Sequence, residues 1–316
     1  MTATESPSGN ADTQPQPVGD GNDNGDDNGD DNGDGDDNGD GDDNGDDNDN
    51  AVRAGFDLRG YTYDPQGLRP EDVDLGALTG LRQKDLRAIA HLAAVEHQTI
   101  RLLRDVLVTP SHAEARFTAF LTTWAYEQYW LAETLDAVLE VNGWAEEEDV
   151  PLRARMLRSW DDRVMPTVRA VRTNILGEKF VAGHMVTGLL DVLVTRLAHQ
   201  RLAALEPRLV DLVDAVLRTK EQHVRFYTEQ ARGRLEGHPD AQRLARRMVR
   251  GWSWPGARFG DRDRIAGVLR HLLAAPCCRQ LVEEIDSEVA ALPGLTGQRV
   301  LRRELGRFAR RAAPGR

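Results

Sequence analysis

The stretch that most constrains this chain is DLVDAVLRTKEQHVRFYTEQAR, residues 211–232. Leu209, Val213, Val216, Lys220, His223, Tyr227 and Ala231 recur at steps of four and three, so one face of a helix carries them all. Two of them, Lys220 and His223, are ionisable and lie one turn apart in an otherwise apolar stripe. Lysine and histidine enter a core only with partners. The helix therefore calls for neighbours that bring polar groups to the same level.

Three more segments have the same design. Over about 81–108, Leu86, Ile89, Ala93, Glu96, Ile100, Leu103 and Leu107 share a face, and Thr109-Pro110-Ser111 ends the helix. Over about 112–141 the stripe is Phe117, Leu121, Trp124, Gln128, Leu131, Leu135 and Val138, stopped by Asn142-Gly143. Over about 178–205 it is Val181, Met185, Gly188, Val192, Thr195, His199 and Leu202, broken by Glu206-Pro207. Each stripe is interrupted near its middle: by Glu96, by Gln128 with Glu127 beside it, by Thr195 and His199 with Asp191 just off the stripe, and by Lys220 with His223. At one level these groups would satisfy one another as a charge-paired cluster.

Short links inside each helix pair, and a long one (144–176, with a helix expected over about 151–171) between them, give four helices with one long crossover. Almost no stretch alternates as a strand would. The expectation is an all-α chain: a four-helix bundle over 54–235, entered through a Gly/Pro/Asp-rich lead-in with one short helix, and a helical extension over 236–316. Extension helices are expected at about 262–275, 277–291 and 297–311.

Charge divides the chain differently. Of 52 acidic residues 17 lie in residues 1–50, leaving 35 against 40 basic ones, so the formal −12 belongs to the tail and the remainder carries about +5. The Asp/Asn/Gly tract in that tail has nothing to bury, which predicts disorder over 1–53. Its oxygens suit calcium, but the repeat lacks the apolar position that a calcium-binding β-roll packs. Arginines in the extension are interleaved with acids, which favours a solvated face or a dock for an acidic partner over nucleic acid. No leader-like opening and no 18-residue apolar run is present, so a soluble, cytoplasmic protein without a membrane span is expected. The cysteines, Cys277 and Cys278, are too few for a zinc site and read as small helix residues.

The phrases AAVEHQTIRLLRDVL, FLTTWAYEQYWLAETL, GHMVTGLLDVLVTRLAHQRLA and LRTKEQHVRFYTEQA, spanning about 81–235, resemble the di-iron carboxylate proteins of the ferritin-like superfamily, in particular bacterial type 2 acyl-carrier-protein desaturases. The resemblance implies a ferritin-like fold, iron activating dioxygen, and an acyl thioester or acyl-carrier protein as partner, with homodimers common. It also implies a ligand set of one Glu per first helix and Glu-x-x-His per second helix. Glu96 and His223 stand at such positions; Gln128, Leu131, Val192 and Lys220 replace the other ligands. Surrogate donors are Glu127 and Asp191, at the cost of rotating their helices by about 100° off the apolar stripes. Metal-free small subunits of ribonucleotide reductase resemble this loss, with a lysine among the replaced carboxylates. The resulting expectation is a desaturase-like protein with a degenerate site, metal-independent or non-catalytic, its core held by Glu96, Gln128, Lys220 and His223. The alternatives are an active dioxygen-dependent di-iron oxidoreductase with rearranged ligands including Glu221, or an interaction protein docking through its basic extension. Tyr126 and Tyr129 beside Trp124 suggest either a redox relay or plain core aromatics.

Overall fold

The computed structural model describes residues 55–98, 115–145, 178–257 and 261–312. Among them the secondary structure is all α-helix with short 3-10 turns and no strand. The acidic tail, the expected stretch of the first long helix over 99–108, and the crossover with its expected helix over 151–171 lie outside the described residues. Residues 54–316 form one compact unit.

The helices are α1 (Leu58–Tyr63), α2 (Gln83–His97), α3 (Ala115–Val141), α4 (Glu178–Leu205), α5 (Val210–Leu235), α6 (Pro239–Gly251), α7 (Arg262–Leu273), α8 (Cys278–Ala290) and α9 (Val300–Ala312). α2 packs along α3, and α4 along α5. The stripes are where the periodicity put them. Leu86, Ile89, Ala93 and Glu96 of α2 are buried, as are all seven stripe residues of α3 and all seven on the stripe that runs into α5. α2 ends at His97, where the Gln98 amide turns back to the Val95 carbonyl.

α3 buries more than its stripe. Phe120, Glu127 and Thr134 form a second inward row, because α1 and the residues after it lie along that side. Phe56 and Tyr61 meet Phe120 and Phe226 in a cluster of edge-on and stacked rings, with Phe120 and Phe226 parallel at 3.6 Å between centroids. Burying an aromatic of that size stabilises by roughly 1.5–3 kcal/mol, so this cluster fastens the lead-in to the helices.

α4 is buried over most of its surface. Ala182, Val186, Leu189, Leu190, Leu193, Val194 and Leu197 are buried in addition to the stripe, since α5, α6, α7 and α8 all pack on it. By length and composition it is the one described helix apolar enough to cross a membrane, yet 67% of its apolar window is buried inside the protein. Gly188 permits a close approach to α5: a Cβ there would lie 2.6 Å from the Tyr227 ring.

α6 was not expected from the sequence. Its inward positions, Ala241, Ala245 and Val249, are small and its outer face is mostly arginine; Pro239 starts the helix and Gly251 ends it. α7, α8 and α9 fall within a few residues of expectation. The start of α9 is capped from α8, where the Asp286 carboxylate accepts from the Leu301 and Arg302 amides at 2.8 and 3.1 Å. Cys277 is exposed and Cys278 buried, both as free thiols.

Candidate functional site

α2, α3, α4 and α5 each bring polar side chains to one interior level. Lys220 of α5, only 1% exposed, donates from Nζ to Glu96 Oε1 at 2.8 Å, and Glu96 is 2% exposed. The Gln128 amide of α3 donates to the second oxygen of Glu96. One carboxylate is thus held by an ammonium and an amide, all three shielded from water. A buried ion pair survives desolvation only with such additional hydrogen bonds.

A second carboxylate lies beside it. Glu127 Oε2 accepts from His223 Nε2 at 2.7 Å and from the Tyr61 hydroxyl at 2.5 Å, and its Oε1 accepts from the Gln66 amide at 2.9 Å. Burial pushes His223 below the usual imidazole range even though Glu127 pulls the other way, so the ring is neutral and donates through Nε2. Desolvation and the Glu127 charge drive the Tyr61 phenol well above its ordinary range, which keeps its proton in place to donate. The Thr219 hydroxyl donates to the Gln66 carbonyl at 3.3 Å, tying the same segment to α5.

His199 of α4 completes the level. It is fully buried, its Nδ1 donates to the Thr195 carbonyl at 2.8 Å, and burial together with the Lys220 charge pulls its pKa down to about 4. His199 Nε2, His223 Nδ1, Gln128 Oε1 and Trp124 Nε1 are buried without a hydrogen-bond partner among the described residues.

The expected residues fall as follows. Glu96, Gln128 and Lys220 form one hydrogen-bonded group, while His223 is bound to Glu127 rather than to Glu96. Glu127 and Gln128 both point inward, so the expected rotation of α3 is not needed: α1 and its following residues cover the Glu127 side. Asp191 is not part of the layer. It accepts from Trp252 Nε1 at 2.8 Å, and burial raises its carboxyl to about 7. Glu221 is exposed and pairs with Arg196 at 2.9 Å, away from the layer. Val192 and Leu131 are buried apolar residues. Tyr126 and Tyr129, expected as relay or core, lie at the surface, where Tyr126 accepts from Arg69. The aromatic at the site is Tyr61, which sequence reasoning missed; the six-residue helix α1 is too short to carry a period that reveals it.

The donor set does not fit a pair of metal ions. Among the described residues two carboxylates stand at this level where such a centre uses about four, and all four of their oxygens already accept hydrogen bonds. Lys220 places a positive charge against the carboxylate that a cation would need. Among the described residues no group of three or more His, Cys, Asp or Glu side chains is placed to hold a metal ion. Compared with family models, curated proteins and solved structures, the chain matches none.

Proposed function

We propose that the protein is a ferritin-like four-helix bundle with one long crossover, of acyl-carrier-protein-desaturase type, in which a self-satisfied ion pair takes the place of the di-iron centre. The observation that carries this reading is the 2.8 Å contact between Lys220 Nζ and Glu96 Oε1 inside the core. An ammonium there offsets the carboxylate charge that iron would otherwise balance, and Gln128 removes a second anionic donor. The layer then serves to hold four helices in register, and the protein acts by binding rather than by oxygen chemistry. Its partner class, from the resemblance, is an acyl chain or an acyl-carrier protein in the cytoplasm, met by a monomer or a homodimer.

The test is anaerobic addition of ferrous iron to the full chain, followed by oxygen. The readout is the absorption of an oxo-bridged iron pair rather than total iron, because the aspartates in residues 1–50 take up cations on their own. No such band, with an unchanged melting temperature, is the expected result. A band corresponding to two irons per chain, lost on Glu127→Ala, establishes instead the oxidoreductase with rearranged ligands.

A further inference from the structure

A second carboxylate–histidine pair stands apart from this layer, at the start of α2. Asp85 is fully buried, and its Oδ1 accepts from His271 Nε2 of α7 at 2.7 Å while its Oδ2 accepts from Arg82 Nε at 2.6 Å. His271 is oriented by this contact, as an imidazole is when a buried carboxylate holds one of its nitrogens. Its side chain is 16% exposed and lines a groove of about 710 Å³ between α2 and α7, which leaves Nδ1 as the polar atom of the ring available to that groove.

The groove is cationic. Lys84 and Arg87, three residues apart on one face of α2, oppose Arg264 and Arg270 of α7, with only Asp261 and Asp263 as acids on the walls. Asp261 is committed to the cap of α7, where it accepts from the Asp263 amide at 2.9 Å. Lys84, Arg87 and Arg270 make no ion pair or hydrogen bond among the described residues. Gly267 sits in the middle of α7, where glycine costs about 1 kcal/mol relative to alanine, and a Cβ there would meet nothing within 4 Å. Its lack of a side chain keeps the wall between the cations open.

We infer that the groove between α2 and α7 binds a phosphate monoester, with Lys84, Arg87 and Arg270 neutralising the dianion and His271 Nδ1 hydrogen-bonded to it. A compact dianion with three terminal oxygens matches two guanidinium forks and an ammonium converging from two helices. The groove volume falls within the range of small-molecule sites, leaving space for the esterified group beyond the phosphate. A soluble phosphorylated compound and a lipid phosphate headgroup share this chemistry.

The test is titration of the full chain with inorganic phosphate and with pyrophosphate at constant ionic strength, and in parallel with vesicles of phosphatidate against vesicles of phosphatidylcholine. Saturable binding weakened at least tenfold by Arg87→Ala and by Arg270→Ala is expected. Gly267→Leu should abolish it while leaving the melting temperature unchanged or higher, because leucine favours the helix and fills the groove. His271→Gln, which retains a donor for Asp85 and loses the groove-facing nitrogen, should weaken it several-fold without loss of fold. Phosphate binding without vesicle binding assigns a soluble ligand; phosphatidate-selective vesicle binding lost in the same variants assigns a headgroup. Absence of saturable binding in both arms, or binding that these variants leave unchanged, overturns the proposal.

Discussion

The interior layer and the Asp85 cluster use the same parts in different surroundings. Each has a carboxylate sealed from water, held by a basic side chain or an imidazole at 2.6 to 2.8 Å. In the interior layer the partners are sealed too: Lys220 and His223 have essentially no exposure. In the Asp85 cluster only the carboxylate is sealed, since the Arg82 side chain is 59% exposed. Water can therefore replace a partner in one cluster and not in the other. In the interior layer the loss of a partner falls on stability, whereas the outer cluster keeps an imidazole facing a groove.

Lys220→Ala should break this contrast most sharply. It leaves Glu96 buried with only the Gln128 amide, and a loss of about 3–5 kcal/mol is expected in denaturant unfolding. The double replacement Glu96→Leu with Lys220→Met should recover most of that loss, because a packed apolar pair lacks the uncompensated charge. Recovery of less than half would mean that the pair contributes more than mutual neutralisation.

Acid titration follows in size. The His199 pKa is about 4 in the folded chain against about 6.5 unfolded, so between those values the unfolded state holds the extra proton and stability falls as pH drops. The full effect is about 3 kcal/mol, complete below pH 4, and His199→Asn should flatten the curve by that amount. Asp191 has the opposite sign. Its carboxyl, raised to about 7, favours the folded state at low pH and loses that contribution as pH rises through 7. Asp191→Asn should therefore steepen the acid loss, as read by melting temperature between pH 4 and 7.

Tyr61→Phe removes one of three donors to Glu127 and should cost about 1.5–3 kcal/mol. Arg82→Ala, the outer counterpart, should cost at most about 1 kcal/mol, because the lost partner is solvent-exposed and His271 remains. Equal costs for these two would remove the distinction between sealed and open clusters.

How much of this was legible in the sequence depended on distance along the chain. The stripes of α2 to α5 could be read because the helical period is local, and it put Glu96, Gln128, Lys220 and His223 on inward faces. The partner of His223 could not be read in the same way. Glu127 lies one position off the α3 stripe, and its inward direction depends on α1, more than 60 residues earlier, whose contacts with it leave no periodic trace. Asp85 and His271 are 186 residues apart and each resembles an ordinary polar residue in its own helix. α6, by contrast, was open to reading: Ala241, Leu244, Ala245, Met248 and Val249 keep the helical period between Pro239 and Gly251, with arginines on the opposite face.

The extensive burial of α4 also bears on how the chain is made. This helix is synthesised before α5 and α6, and these two principal neighbours are both in place only when residue 251 has followed, 46 residues after Leu205. At ordinary elongation rates that interval is roughly 2–9 s, during which an apolar helix of 28 residues lacks the neighbours that later enclose it. Newborn chains stalled between residues 205 and 251 should therefore be the ones chaperones hold most tightly.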